Sequence, residues 1–251
     1  MNLVIVIGRG HSGTRAISRT LCESGVFMGA PLNQSYDLIP AAQLYEACRL
    51  FARHVVYRGD LSWDFSEPLV NPPEAAFVEL VLSYLSSVLE STEPWRGWKL
   101  PETTLVLPWI VKMFPDAYYI SWVRDPRDAI IGSHLTDDLA DFGVACDRVD
   151  DIREMRAISW KYQREIVAAT PKPEKWIEIR FEDFVLDQDR ALETLENFLG
   201  LDLARIPVDP AAVGRWKTDT ERNNFPAFED DLVQLGYTAP ANRTTSGRSI
   251  Q

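Results

Sequence analysis

The sequence is poor in cysteine and in positive charge. Its 251 residues include three cysteines, Cys22, Cys48 and Cys146, with none of the CxxC spacings that zinc sites and disulfide frameworks use. This argues against both and favours reduced thiols in a cytosolic protein. The 26 basic against 37 acidic side chains give a net charge of −11, which argues against a nucleic-acid partner because that would need a basic face. A local basic site for an anionic ligand remains compatible with this charge.

Long apolar runs and repeats are absent too. The segment LVIVI at 3–7 is too short for a membrane span or a signal-peptide core, and Gly8 and Arg9 follow it directly. We therefore expect a cytoplasmic protein with no membrane span. Residues 1–237 are expected to form one domain, with a flexible polar tail over 238–251.

Apolar segments alternate with helix-like segments along the chain. The segment 3–7 shows no polar alternation, which is typical of a strand buried on both faces of a parallel sheet. The segments 117–123 and 175–181 are predicted to be two further strands, the first of them buried. GWKL (97–100) reads as a shorter strand. Helices are expected near 13–24, 41–56, 73–90, 103–114, 151–170 and 187–201, and one is expected to begin at DPRDAIIGSHL, directly after the second strand. The alternation predicts a three-layer α/β/α fold with a mostly parallel sheet of about four to five strands, similar to P-loop nucleoside triphosphatases.

The stretch GRGHSGTR (8–15) lies between the first strand and a helix. Its glycines, among them Gly10 and Gly13, permit tight turns and close backbone approach, and a helix N-terminus attracts anions. The side chains add hydroxyl donors and potential positive charge: Arg9, His11, Ser12, Thr14 and Arg15. The stretch therefore predicts a phosphate-binding loop. A Walker A loop would have lysine where Thr14 stands, which weakens the nucleoside triphosphate interpretation.

A second motif follows the strand at 117–123. In AYYISWVRDPRDAIIGS, Arg124 stands where the strand ends, and the carboxyl ends of parallel strands form the ligand crevice of such sheets. The guanidinium fork can bind a phosphate in bidentate fashion. The alternative for Arg124 is a salt bridge with the aspartates of DPRD.

Together these motifs resemble those of the sulfotransferases that use 3′-phosphoadenylyl sulfate (PAPS). In that family the loop holds the 5′-phosphosulfate, whereas an Arg, followed by [DN]-P-x-D and a Ser eight residues on, holds the 3′-phosphate. Here Ser133 is nine residues after Arg124. Weaker similarities are WKLPETTLVLP, the segment IRFEDFVLDQDRALETLENFLGL, and VGRWKTD, whose Gly214, Arg215, Trp216 and Lys217 match a loop that closes over the donor. The similarity extends from about residue 3 to 217.

The resemblance implies transfer of a sulfuryl group from PAPS to a hydroxyl of a small molecule, glycan or lipid, with adenosine 3′,5′-bisphosphate (PAP) as product and no metal. Lys99 is the expected cation at the transferring group, and Asp37 is the first candidate for the general base, with Glu46 and Glu102 as rivals. Trp63, Trp95 and Trp98 are candidates for lining an acceptor pocket.

Two other functions stay open at the level of sequence. A P-loop kinase of a small metabolite would share the strand–loop–helix start, but neither its lysine nor its magnesium ligands are recognisable. A non-catalytic nucleotide-binding protein would keep the donor site and lack the base. The sequence does not indicate the acceptor or the oligomeric state.

Overall fold

A four-stranded parallel sheet forms the centre of the computed structural model, which describes residues 1–238. A separate two-stranded antiparallel hairpin lies outside it. In chain order the strands are β1 (Asn2–Ile7), β2 (Val56–Gly59), β3 (Ser62–Asp64), β4 (Trp95–Lys99), β5 (Tyr118–Val123) and β6 (Trp176–Arg180). The central sheet has the strand order β4-β1-β5-β6, whereas β2 and β3 form the hairpin.

Helices cover both faces of the central sheet. They are α1 (Thr14–Glu23), α2 (Ala42–Ala52), α3 (Ser66–Val70), α4 (Ala75–Tyr84), α5 (Ser86–Leu89), α6 (Leu107–Met113), α7 (Pro126–Ala129), α8 (Ile152–Ala169), α9 (Phe181–Leu186), α10 (Gln188–Leu199) and α11 (Glu229–Gln234). Short 3₁₀ turns span Pro101–Val106, Leu135–Asp137, Leu139–Phe142, Pro210–Ala212, Arg215–Lys217 and Pro226–Phe228.

The apolar residues of β1 divide the core between the two faces. Val4 and Val6 pack in a cluster with α1, α9 and α10, whereas Ile5 and Ile7 pack in a cluster with α2, α4, α6 and α8. This explains the absence of polar alternation, because each face of the strand is covered by helices. Complete burial of each such side chain contributes about 1.5–3 kcal/mol.

The parallel register brings the carboxyl ends of three strands to one edge. Val6 pairs with Lys99 at the end of β4, and Ile7 pairs with Ser121 near the end of β5. The loop after β1, the residues after β4 and the residues after β5 therefore meet at this edge, as the sequence motifs require.

The predicted three-layer fold and its four strand segments are confirmed, but three local predictions are wrong. The helix expected over 41–56 ends at Ala52, and Val56 begins β2. The helix after β5 ends at Ala129 after one turn. The helix expected near 103–114 starts as the 3₁₀ turn at 101–106.

Within residues 1–238, no helix combines the length and the apolarity that crossing a bilayer requires. The predicted tail, 238–251, lies outside the described residues except for Thr238, and the division into one domain and a tail stays a prediction.

Candidate functional site

The loop between β1 and α1 turns sharply through two glycines. Gly8 and Gly13 have φ angles of 155° and 87°, and a Cβ on Gly13 would lie 2.3 Å from the ring of Phe181. Gly13 precedes α1, whose first amides have no side-chain cap. The first N–H groups of a helix have no partner within it, and the helix dipole places positive potential there. The start of α1 is therefore built to receive an anion.

A cavity of about 460 Å³ opens in front of this helix N-terminus. Its volume lies within the range of about 300–1,000 Å³ that small-molecule sites commonly have. Its wall includes His11, Gly13 and Thr14 and carries five cationic side chains, Arg15, Arg19, Lys99, Arg124 and Arg215. We call it the donor cavity. It brings together residues from all the predicted donor motifs.

Arg19 is the cation that the sequence reasoning missed. It lies one helical turn after Arg15, and this i, i+4 spacing on α1 was the available signal.

Arg9 does not line this cavity. Its guanidinium is buried, donates to the carbonyl of Ala129 at 2.8 Å and forms an ion pair with Asp137. Burial lowers the pKa of Arg9 to about 10, although Asp137 opposes that shift. The placement supports a role in fixing the loop rather than the predicted contact with phosphate.

Ser12 is likewise turned into its own loop. The hydroxyl donates to the carbonyl of Arg9, and Trp122 Nε1 donates to the carbonyl of Ser12 at 3.1 Å. Of the predicted loop residues, His11, Gly10, Gly13, Thr14 and Arg15 border the cavity.

Arg124 reaches the donor cavity from the end of β5. Its guanidinium donates to the carbonyl of His11 at 3.0 Å and to that of Ala212, and it lies 4.4 Å from the ring centre of Phe181. Burial lowers the pKa of Arg124, while Asp128 opposes the change. Its Nη2 also lies 3.4 Å from Asp128 Oδ2, so the salt bridge with the DPRD segment that the sequence left open is present beside the two carbonyl contacts. Arg124 nevertheless lines the donor cavity.

Asp128 joins two of the predicted motifs. Its carboxylate accepts from the backbone N–H groups of Gly214 at 2.7 Å and Trp216 at 2.8 Å. The guanidinium of Arg127 lies 3.8 Å from the ring centre of Trp216. The GRWK segment is therefore tied to α7, which places Arg215 on the cavity wall; Lys217 is exposed outside it.

Ser133 does not line the donor cavity that Arg124 reaches. Because α7 ends at Ala129, the chain turns away and Ser133 lines a second cavity, of about 510 Å³. We call this the neighbouring cavity. Its wall shares Asp37 and His134 with the donor cavity, so the two adjoin at these residues.

Lys99 and Asp37 meet between the two cavities. The Lys99 ammonium is buried, forms an ion pair with Asp37 and donates to the carbonyl of Ser35 at 2.7 Å. Burial lowers the pKa of Lys99, and Asp37 opposes that shift. The second oxygen of Asp37 accepts from Asn33 Nδ2 at 2.9 Å. The two residues predicted to be catalytic are thus in direct contact.

The two rival carboxyl groups have contrasting environments. Glu46 pairs with Arg49 on the surface of α2, and its side chain is 52% exposed. Glu102 is 1% exposed and lines the neighbouring cavity, and its Oε2 has no hydrogen-bond partner among residues 1–238. Burial raises the pKa of Glu102 to about 7, a value suited to a group that exchanges protons near neutral pH.

His134 stands where the cavities adjoin. Its Nδ1 accepts from the backbone N–H of Thr136 at 3.2 Å, which requires the neutral ring with the proton on Nε2. Burial, and to a smaller extent the nearby Arg9, lower the pKa of His134 to about 3. The ring packs against the donor loop so closely that a Cβ on Gly10 would lie 2.1 Å from it. His134 is therefore a neutral hydrogen-bond donor.

The three tryptophans proposed for an acceptor pocket line neither cavity. Trp63 and Trp98 are buried in the core, where their indole N–H groups donate to the carbonyl of Ala145 and to Thr103 Oγ1. Trp95 packs against Tyr118 at 5.2 Å between ring centres. This prediction was wrong because aromatic side chains in short strands serve the core as readily as a site.

Comparisons with known proteins agree with this geometry. A family model described as "Sulfotransferase family" matches residues 4–205. Among solved structures, the sulfotransferase domain from the curacin biosynthetic pathway superposes with a TM-score of 0.61 at 14% identity, covering 95% of this chain and 99% of that one. The sulfotransferase domain from the Synechococcus PCC 7002 olefin synthase gives a TM-score of 0.57 at 14% identity, with 94% of each chain covered. A search of curated proteins finds no match to the chain.

Proposed function

The chain belongs to the sulfotransferase family, and on that premise we propose that it moves a sulfuryl group from PAPS to a hydroxyl group of an acceptor. The observation that carries the proposal is the donor cavity, where the N-terminus of α1, Lys99 and Arg124 face one space. A donor with phosphate groups at two ends needs two separate anion sites. The start of α1 and the Arg124 side of the cavity supply them.

We assign the 5′-phosphosulfate to the start of α1 and the 3′-phosphate to the Arg124 side. Free amides and the helix dipole favour the group whose negative charge grows as the bond breaks. Arg124 and Arg215 would meet the 3′-phosphate, with Phe181 beneath the Arg124 guanidinium. Ser133, in the neighbouring cavity, takes no part in this assignment.

Sulfuryl transfer then proceeds as an in-line displacement, in which positioning and charge stabilisation supply most of the catalysis. The acceptor oxygen forms a bond to sulfur while the bond between sulfur and the 5′-phosphate oxygen breaks. The electron pair of that bond stays on the phosphate, and Lys99 is placed to stabilise the charge. The acceptor proton goes to Asp37.

The Lys99–Asp37 ion pair couples these two events. While Asp37 is ionised, it neutralises much of the ammonium charge. Once Asp37 has taken the acceptor proton, the Lys99 charge is no longer balanced and acts fully on the departing phosphate. This interaction strengthens only as the reaction advances. It therefore stabilises the transition state more than the ground state, and so it lowers the barrier.

Thermal stabilisation by nucleotides tests the donor assignment. PAP without metal should stabilise the protein by about 2.7 kcal/mol at a hundredfold excess over its dissociation constant. ADP, which lacks the 3′-phosphate, should stabilise it less. A larger effect of ATP with magnesium than of PAP would contradict the proposal and favour a kinase.

Transfer itself is tested with labelled PAPS and a mixed panel of hydroxyl compounds. Label should appear in an acceptor only with the intact donor cavity. Binding of PAP tests the same cavity: Arg124→Ala should weaken it by about 1.5–3 kcal/mol, the scale of a charge-assisted hydrogen bond. Arg58→Ala, on the exposed β2–β3 hairpin, is the matched control. Equal binding of PAP by Arg124→Ala and the wild type would remove Arg124 from the site.

A further inference from the structure

The neighbouring cavity has carboxyl groups on its wall and no cationic side chain. Asp37 and Glu102 line it, and within residues 1–238 no Lys or Arg contributes to its lining. His134 adds no charge, because its Nδ1 accepts from a backbone N–H. The remaining lining residues are neutral, among them Asn33 and Tyr45. A ligand in this space therefore meets two carboxyl groups, of which Asp37 is paired with Lys99, beside neutral polar side chains.

The two carboxyl groups differ in what already satisfies them. Asp37 has the Lys99 ammonium on one oxygen and the Asn33 amide on the other. Glu102 is buried, and its Oε2 has no partner among the described residues. Leaving a buried acceptor unsatisfied costs about 1–3 kcal/mol, and more when the group is charged. Glu102 is consequently the group that a bound ligand would complete.

The five cationic side chains of the donor cavity face the donor, whereas Glu102 faces the neighbouring cavity. In the proposed function PAPS occupies the donor cavity, and its negative charges are set against those cations. The charge that the acceptor meets away from the donor is therefore that of Glu102. Glu102 repels a negatively charged acceptor and attracts a positively charged one.

We propose that the acceptor is an alcohol or phenol that also carries an ammonium group, with the hydroxyl at Asp37 and the ammonium at Glu102. This inference rests on the proposed function for its transfer step. In that step the hydroxyl oxygen bonds to sulfur, its proton goes to Asp37 and PAP leaves. The ammonium group keeps its protons throughout and serves only in recognition.

Matched acceptor sets test the proposal. One set is glucosamine, N-acetylglucosamine and glucuronate, and the other is tyramine, 4-ethylphenol and 4-hydroxyphenylpropanoate. Each set holds the scaffold nearly constant while the charge changes from positive through neutral to negative. With labelled PAPS, the ammonium member of at least one set should exceed its neutral partner in kcat/KM by about tenfold or more, as a partly buried ion pair provides. A neutral or anionic member that reacts best would overturn the proposal.

The variant Glu102→Gln separates recognition from catalysis. It should reduce the preference for the ammonium member about fivefold or more, mainly by raising the KM of that member. Glu46→Gln is the matched control, since Glu46 is a surface glutamate outside both cavities. If Glu102→Gln instead lowers kcat equally for charged and neutral acceptors, Glu102 acts on the proton and the recognition role is wrong.

Calorimetry on PAP-loaded protein gives a reading that needs no turnover. The ammonium compounds should bind more tightly than their neutral partners, and added salt should weaken their binding. Absence of binding by every member to PAP-loaded protein would overturn the inference while leaving the donor assignment intact. If PAP itself does not bind, the proposed function fails. The same titrations on donor-free protein then decide whether the neighbouring cavity prefers ammonium compounds, and equal affinities would overturn that preference.

Discussion

At the scale of single residues, substitutions of Lys99 and Asp37 should affect the rate of transfer much more than the affinity for the donor. In the proposed mechanism Lys99 meets charge that develops only during transfer, and Asp37 faces the acceptor rather than the nucleotide. Lys99→Ala should reduce turnover by about 10²–10³, the range for losing an oriented group that stabilises developing charge. Asp37→Asn should reduce it by about 10²–10⁴, as loss of a general base does. Both are measured as label transferred from PAPS.

The same variants should change PAP affinity, measured by calorimetry, much less than they change turnover. Lys172→Ala, an exposed lysine outside both cavities, controls for the loss of a positive charge. Because Lys99 and Asp37 are in contact, the double variant should lose less than the product of the single losses. Full turnover by Asp37→Asn would place the base elsewhere, with Glu102 next and Glu46 excluded by its surface position.

Glu102 should make the stability of the protein depend on pH. Its pKa is raised from 4.5 to about 7 in the folded protein, so the folded state binds the proton more tightly than the unfolded chain does. The free energy of unfolding therefore falls as pH rises from about 4.5 to about 7, and this fall is complete above about pH 7. Glu102→Gln lacks the titrating group and so does not lose this stability. The free energy of unfolding of the variant should therefore exceed that of the wild type by near zero at pH 4.5 and by about 3 kcal/mol at pH 8.

Urea denaturation of both proteins at a series of pH values measures this difference. Glu46→Gln should follow the wild-type curve, because that carboxyl is exposed. Parallel curves for Glu102→Gln and the wild type would show that Glu102 keeps its ordinary pKa in the folded protein. The predicted gain at neutral pH also means that the variant is expected to fold, which the acceptor experiments need.

Single residues also show where sequence reasoning reaches its limit at the site. Lys99 and Arg124 could be placed because each ends a strand, and strand ends of a parallel sheet converge. The partner of Arg9 could not, since Asp137 is 128 positions away and the ion pair depends on the path of the chain after α7. Burial of Arg9 and exposure of Arg15 follow from that path and not from the local pattern.

At the scale of elements, the buried strands were predicted and the hairpin was missed. Strands covered on both faces leave a continuous apolar run in the sequence, which β1 and β5 both show. The β2–β3 turn places Asp60 and Leu61 at φ angles of 50° and 55°, a conformation that leucine rarely adopts. Gly59 and Asp60 are a Gly-Asp turn signal at this position, and the helix predicted over 41–56 extended almost to it.

The same scale contains the link between α7 and the GRWK segment. Asp128 is fully buried, and its oxygens accept from the amides of Gly214 and Trp216. Asp128→Asn would present an NH₂ group to an N–H donor and lose charge-assisted bonds of about 1.5–3 kcal/mol. Arg215 and Arg124 would lose their fixed positions, so PAP affinity should fall about tenfold or more.

Two measurements check this prediction. Calorimetry gives the PAP affinity, and hydrogen exchange should speed up at the amides of Gly214 and Trp216. Asp116→Asn, an exposed aspartate just before β5 at the opposite edge of the sheet, is the control. Faster exchange with unchanged PAP affinity would mean that the segment does not take part in donor binding.

At the scale of the whole molecule, the proposed function requires a polyanionic donor to bind a protein of net charge −11. The composition was compatible with a local basic site, and five cationic side chains are grouped on the wall of the donor cavity. The fold achieves this by bringing the ends of β1, β4 and β5 to one edge. Which cations would meet there depended on tertiary structure, although the i, i+4 spacing of Arg15 and Arg19 on α1 was a local signal for one of them.

Salt and distant charge should therefore affect donor binding differently. The Debye length is about 10 Å at 0.1 M salt, so charges across the protein are screened while contacts in the cavity are not fully so. PAP affinity should weaken as NaCl rises from about 50 to 500 mM, because the local attraction dominates over the overall repulsion. The double variant Glu93→Gln and Glu174→Gln removes two exposed carboxylates just before β4 and β6, at the far edge of the sheet, and should leave PAP affinity at 150 mM NaCl within about twofold. Calorimetric titrations at four salt concentrations measure both effects. An affinity that rises with salt would show that the charge of the whole molecule, rather than the five cavity cations, controls binding of the donor.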